Sequence, residues 1–176
     1  MEMEEYFGKL RENLVYADLS LMQLRVVSIR LSNRTQLPNE LRVNLEVQEQ
    51  ALKDMLVLGL ARLFDKKGSK SERISIPNIL GNDAIALNED LKIKLNELMR
   101  AELLGKLKNV RDKIVAHSLS DAFDVRFQMD DAQNLIDRCY DLLTEIFHHN
   151  KPHERLARQD LKIYVKRWHE MTKAWE

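Results

Sequence analysis

Residues 55–64 read Met-Leu-Val-Leu-Gly-Leu-Ala-Arg-Leu-Phe, a stretch in which Arg62 is the only charged residue. A helix over this stretch would be apolar around almost its whole circumference. Leucines at positions 45, 52, 56 and 63 continue one apolar face through a helix that we expect from Asn39 to about Lys66. Such a helix is either the most buried member of a bundle or one that also packs against a second subunit.

Apolar stripes at steps of three and four predict three further long helices. We expect them over residues 3–35, from Asn88 as N-cap through to His117, and over residues 130–149. Gly105 weakens the third helix without ending it, and a fifth, terminal helix is expected over residues 152–175. The positions expected to face the core are Leu10, Leu14, Ala17, Leu21, Leu24, Leu31, Leu91, Leu95, Leu98, Ile136, Cys139, Leu143 and Ile146.

The composition also predicts a single all-α domain over residues 1–176. The chain has only five glycines and three prolines, leucine is abundant and aromatic residues are scarce. A chain of 176 residues is long enough to bury a substantial core. We therefore expect an up-down bundle of four long helices plus a fifth C-terminal helix.

Charge and cysteine content narrow the class of protein. Lysine plus arginine and aspartate plus glutamate each number 28, so any site for a polyanion must be local. The single cysteine, Cys139, excludes an internal disulfide and fits a reducing cytoplasm. The acidic start Met-Glu-Met-Glu-Glu differs from a secretory leader, and no uncharged run is long enough to cross a bilayer. We expect a cytoplasmic protein with no membrane contact and no cofactor.

The stretch Arg111-Asp112-Lys113-Ile114-Val115-Ala116-His117 carries the side chains most suited to chemistry. Histidine exchanges protons near neutral pH, and arginine offers a planar fork of donors that fits phosphate oxygens. His117 could take a proton from a ribose 2′-hydroxyl or give one to a leaving 5′-oxygen, while Arg111 stabilises charge on phosphorus. The pair therefore suffices for RNA cleavage without a metal.

The spacing of this pair leaves its geometry open. Six positions along an ideal helix give a rise of about 9 Å and place the two side chains about 120° apart. Either the helix ends or distorts between Arg111 and His117, or two protomers pool their pairs across a two-fold axis. His117 also falls on the apolar stripe, and basic residues suit a helix C-terminus, so both could instead be core or helix-end residues.

Arginine and histidine separated by five residues, with a polar residue after the arginine, resemble the motif of the HEPN superfamily. A second element supports the resemblance: Arg62-Leu63-Phe64-Asp65 ends a helix, and a polar loop and the short Ile74-Ser75-Ile76 stretch follow. Two elements in this order look like the abortive-infection type U branch of HEPN proteins. The resemblance covers about residues 50–120.

The resemblance implies a small helical bundle, a homodimer with the motif at its interface, and a metal-independent ribonuclease of defence or toxin type. Carried over, Arg111 would stabilise the phosphate, His117 would be the general acid and base, and Asp112 would orient one of them. The products would be 2′,3′-cyclic phosphate and 5′-hydroxyl ends. An antitoxin protein is a further expected partner, but Leu119 stands where related toxins carry a tyrosine that is nucleotidylated, so silencing at that site is not supported.

Two alternatives to a ribonuclease stay open. One is a catalytically inactive HEPN domain that serves as a dimeric interaction or nucleic-acid-binding module. The other is a helical bundle that resembles HEPN proteins by chance and has no role with nucleic acid.

Further residues are candidates for contact with RNA or a metal. The segment from residue 62 to 73 is locally basic and could form a rim for RNA phosphates, although a solvated loop with helix-end charges is the favoured interpretation. The histidines at positions 148, 149 and 153 are separated by Pro152 and lack further ligands, so we expect no metal. The RNA-binding candidates are Arg62, Lys66, Lys67, Arg73 and Ser118.

Overall fold

The computed structural model describes residues 2–32, 37–65, 74–116 and 128–152, and within these ranges the chain is helical and contains no strand. The predicted all-α class is therefore confirmed. The fifth helix expected over residues 152–175 lies outside the described residues. The helices are α1 (Met3–Ser32), α2 (Asn39–Phe64), a 3₁₀ helix (Ile76–Gly81), α3 (Glu89–Arg100), α4 (Glu102–Ala116) and α5 (Met129–Asn150).

An antiparallel pair formed by α1 and α2 is the most extensive helix–helix contact. A Cβ atom added at Gly59 would lie 3.8 Å from the Cβ atom of Ala17, so the two backbones approach closely at that point. Nearer the connecting loop, the Ser28 hydroxyl donates a hydrogen bond of 2.8 Å to Glu49. Residues late in α1 contact residues early in α2, so the end of α2 lies beside the first turns of α1.

The core forms as the apolar stripes predict. Of the apolar positions that the sequence places in the core, Leu52 is partly buried and the others are buried; Leu10, Leu14, Leu95 and Ile136 are wholly inaccessible to solvent. The expectation for α2 needs a correction, because Met55 is 58% exposed and the helix therefore has an open side. Packing of that side against a second subunit stays a prediction.

The third predicted helix is in fact two helices, α3 and α4, with a break at Ala101 rather than a weak point at Gly105. Ala101 has an extended backbone (φ −58°, ψ 136°). Alanine favours helices strongly, so nothing local predicts this break. The packing partners differ on the two sides of the break, because α3 packs on α5 whereas α4 packs on α2.

The segment before α3 is fixed at several points. The buried Tyr6 hydroxyl donates to the Ser75 carbonyl oxygen at 2.6 Å and accepts from the Ser75 N–H at 3.2 Å. The Asn150 side chain pairs in the same two-way manner with the backbone of Ala86, at 2.7 and 2.9 Å. Asn88 caps α3 as predicted, accepting from the Leu91 N–H at 2.8 Å. Among the described helices, none is long and apolar enough to cross a membrane.

We predict that Tyr6→Phe lowers the free energy of unfolding by about 1–3 kcal/mol, because two backbone groups of Ser75 would lose their buried partner. Burial raises the pKa of Tyr6 above its ordinary value of 10.0. The stabilisation from the protonated hydroxyl is therefore fully present at pH values below the ordinary pKa and is lost as the pH rises through the folded-state pKa. Urea denaturation at neutral and strongly alkaline pH should show that the difference in unfolding free energy between wild type and Tyr6→Phe shrinks at alkaline pH. An unchanged difference would contradict the assignment.

We also predict that the Cys139 thiol resists modification in the folded protein. Cys139 is fully buried and burial raises the pKa of its thiol, so thiolate is scarce at neutral pH. Reaction with a thiol-specific reagent should be slower than in urea by on the order of a thousandfold, since it requires opening of the core. The exposed position 83 provides a control, because Asp83→Cys should react with one equivalent of reagent at once. Equally rapid reaction of the wild type would contradict a buried thiol.

Candidate functional site

Arg111 lies on α4, between the buried face of that helix and solvent. Leu107, one turn earlier, and the adjacent Val110 are almost completely buried and hold this part of α4 against the core. The Arg111 side chain is 27% exposed, so its aliphatic part lies against protein while its guanidinium group remains reachable. Packing of α4 on α2 brings this guanidinium group to the end of α2.

Asp65 receives Arg111 at that end. It follows the last residue of α2 directly and has an extended backbone (φ −65°, ψ 124°). The Nη1 atom of Arg111 donates to the Oδ1 atom of Asp65 at 2.8 Å, and the Asp65 side chain is 30% exposed. The two sequence elements that carried the resemblance, separated by 46 positions, are thus in direct contact.

Asp112 forms the second anchor of Arg111. Its Oδ1 atom accepts from the Nε atom of Arg111 at 3.0 Å and from the Nη2 atom at 2.7 Å. These two hydrogen bonds hold the guanidinium group of Arg111 beside Asp112, while His117, the other residue that Asp112 could orient, lies outside the described residues. A guanidinium group has five N–H bonds, and these contacts engage three of them. The remaining two, one on Nη1 and one on Nη2, have no hydrogen-bond partner among the described residues.

The electrostatic balance at this point is not simply basic. One guanidinium group faces two carboxylates, so these three side chains together carry a net negative charge. Charge-assisted hydrogen bonds to both carboxylates restrict the rotation of the arginine. Because each partner is partly exposed, each ion pair contributes only about 1 kcal/mol or less to stability. Arg111 is therefore held in one orientation rather than made available as a mobile cation.

A groove of about 600 Å³ borders the Asp65 side of this cluster. The first turns of α1 form one wall and the end of α2 forms the other. Ile74, just before the 3₁₀ helix, adds an apolar contact. Its lining residues are Lys9, Glu12, Asn13, Arg62, Asp65 and Ile74. Asp65 therefore belongs both to the groove and to the Arg111 cluster.

The structure describes only some of the site residues proposed from the sequence. Arg111 and Asp112 are in contact, and Arg62 is exposed at the edge of the groove. His117 and Ser118 lie outside the described residues, as do Lys66, Lys67 and Arg73, so their roles stay predictions. Among the described parts of the chain, no group of three or more histidine, cysteine, aspartate or glutamate side chains could hold a metal ion.

Sequence reasoning missed two features of this site. It named Asp65 only as the end of the Arg62–Asp65 element, whereas Asp65 binds Arg111. It also treated the first turns of α1 as part of a core helix, although Lys9, Glu12 and Asn13 line the groove. Glu12 and Asn13 lie beside the apolar stripe of Leu10 and Leu14, where polar residues are ordinary, so the sequence carried no signal for the second feature.

Comparison with known proteins identifies the family. No curated protein and no solved structure matches the chain significantly. The sequence does match the HEPN_AbiU2 family, described as AbiU2, over residues 4–160. That match covers both motif elements and nearly all the helices described above. The chain therefore belongs to the AbiU2 family of HEPN proteins.

Proposed function

We propose that the chain is a metal-independent endoribonuclease of prokaryotic defence or toxin type, active as a homodimer. The contact between Arg111 and Asp65 is the observation that carries the proposal, because it turns an arginine of the HEPN motif into an oriented phosphate-binding group. Membership of the AbiU2 family supports a defence role, and an antitoxin protein is a further proposed partner.

In the proposed reaction, His117 takes the proton from a ribose 2′-hydroxyl, and the 2′-oxygen attacks the adjacent phosphorus. The bond from phosphorus to the 5′-oxygen breaks, and the leaving oxygen receives a proton from histidine. The two N–H bonds of Arg111 that face no described carboxylate stabilise the charge that develops on the phosphoryl oxygens. The products are a 2′,3′-cyclic phosphate and a 5′-hydroxyl end.

A dimeric site is the geometry that we propose for this reaction. Arg111 lies on α4, which extends from Glu102 to Ala116, and His117 lies outside the described residues. The six-position spacing places the two side chains about 120° apart on one helix, and groups pooled from two protomers would meet over one phosphate without distortion of that helix. The open side of α2, which includes the exposed Met55, is a surface that such a dimer could use.

An inactive HEPN module is the second candidate function, and the carboxylate partners of Arg111 favour it. Three of the five N–H bonds of Arg111 are satisfied within its own chain, as expected of a structural arginine. Such a module would bind nucleic acid or a protein partner without cleavage.

We predict that the wild-type protein cleaves structured RNA in the presence of EDTA. Arg111→Ala and His117→Ala should each lower the cleavage rate by about a hundredfold or more, because they remove charge stabilisation and proton transfer. Gel analysis of RNA with defined ends would measure the rate and identify the cyclic phosphate.

Matched controls are available on the described helices. Arg100→Ala and His149→Ala remove the same residue types from exposed positions on α3 and α5, and both should leave cleavage unchanged. Cleavage that survives in Arg111→Ala and His117→Ala would point to a contaminating nuclease and contradict the proposal. RNA binding without cleavage by the wild type would favour the inactive module, and sedimentation as a monomer alone would contradict the two-fold site.

We predict that Asp65→Asn lowers kcat about tenfold with little effect on KM or on thermal stability. The amide keeps the shape of the side chain but removes the charge that orients Arg111, so Asp65 acts as a positioning residue. Asp83→Asn, an exposed carboxylate in the loop before α3, is the control and should have no effect. An increase in kcat would contradict this role, because it would show that Asp65 restrains Arg111 rather than positioning it.

A further inference from the structure

The groove that adjoins the Arg111 cluster has the size and chemistry of a binding site for a small polar ligand. Its volume of about 600 Å³ falls within the range of about 300–1,000 Å³ that is usual for ligand sites. Asp65 connects the two regions: its carboxylate accepts from Arg111 and the same residue lines the groove. The groove therefore directly adjoins the guanidinium group of Arg111.

We propose that this groove binds one nucleotide of the RNA, next to the phosphate at Arg111, and that Asn13 reads its base. The inference rests on the proposed ribonuclease function and adds a specificity-determining residue on α1. Arg62, exposed at the edge of the groove, contacts the backbone phosphate of the bound nucleotide.

The charge of the groove favours a base over an isolated anion. Lys9 and Arg62 contribute two positive charges, and Glu12 and Asp65 contribute two negative ones. Lys9 is also paired with Glu5 at 2.7 Å. A free phosphate or sulfate would meet as many carboxylates as cations. A neutral ring with donors and acceptors along its edge avoids that repulsion.

Asn13 supplies the readout. Its side-chain amide offers a donor and an acceptor side by side, the combination that binds adenine in a bidentate manner. Among the described residues, none lies within hydrogen-bond distance of this amide, although Asn13 is only partly exposed. On the Hoogsteen edge only adenine presents a donor beside an acceptor, N6–H and N7, so we expect this amide to read that edge of an adenine.

The far wall of the groove is rigid enough to hold a base. Ile74 provides an apolar contact, and the next residue, Ser75, is fixed by the two hydrogen bonds from the buried Tyr6. Tyr6 and Asn13 lie on the same helix, so the reading group and the apolar wall are held by one element.

The test measures binding separately from cleavage. Fluorescence anisotropy of His117→Ala with short labelled RNAs, identical except for one nucleotide, would give the dissociation constant for each base. We expect adenine to bind about tenfold more tightly than uracil, as one bidentate base contact provides. Adding Asn13→Ala should reduce that preference to less than about threefold while leaving the affinity for uracil nearly unchanged. Adding Asn134→Ala, which removes an exposed asparagine on α5, should leave the preference intact.

The outcomes separate this inference from the proposed function. A base preference that survives Asn13→Ala, or the absence of any preference in the parent protein, would overturn the assignment even if the wild type cleaves RNA. A preference abolished by Asn13→Ala supports the subsite even if the wild type fails to cleave RNA. Loss of the preference in Asn134→Ala as well would also overturn it, because the effect would then not depend on the groove.

Discussion

The packing of α1 along α2 is the constraint on which the rest of the structure depends. The row of apolar side chains on α1 is buried along its length, and the small residues Ala17 and Gly59 allow the two helices to approach closely. Because the helices are antiparallel, this contact fixes the first turns of α1 beside the end of α2. The groove and the anchored arginine both lie at this end, so a shift of α1 along α2 would separate the groove's two walls.

The ion pair between Arg111 and Asp65 joins two parts of the fold, as do the pairs Arg25–Asp130 and Lys94–Glu145, but its two side chains are less exposed than those of either pair. Most of the other ion pairs of the described residues join residues three or four positions apart on one helix, and exposed pairs of that type add little to stability. Arg111 and Asp65 instead connect α4 to α2, and their side chains are only 27% and 30% exposed. A contact of this type fixes the relative position of two helices, which matters more here than its modest contribution to stability.

Most of the fold could be predicted from the sequence, whereas only part of the site could. Periodic apolar residues such as Leu14, Leu95 and Ile136 identify buried faces reliably, because helix geometry repeats along the chain. The break at Ala101 was not predictable, since it opposes the local preference of alanine for a helix. The partner of Arg111 was equally hidden, because spacing within one helix carries no information about a carboxylate 46 positions away.

Two carboxylates beside Arg111 weaken its attraction for phosphate, because each repels an incoming anion. They also restrict the rotation of the arginine side chain. The conformational entropy that a solvent-exposed arginine would lose on binding phosphate is therefore already lost during folding. An arginine held in this way attracts anions weakly in general but presents its two remaining N–H bonds in a fixed direction. With a net charge of zero, the chain gains little from long-range attraction to RNA. Under the proposed function, selectivity then has to come from groups that contact RNA directly, and the groove beside Asp65 is where we propose that they lie.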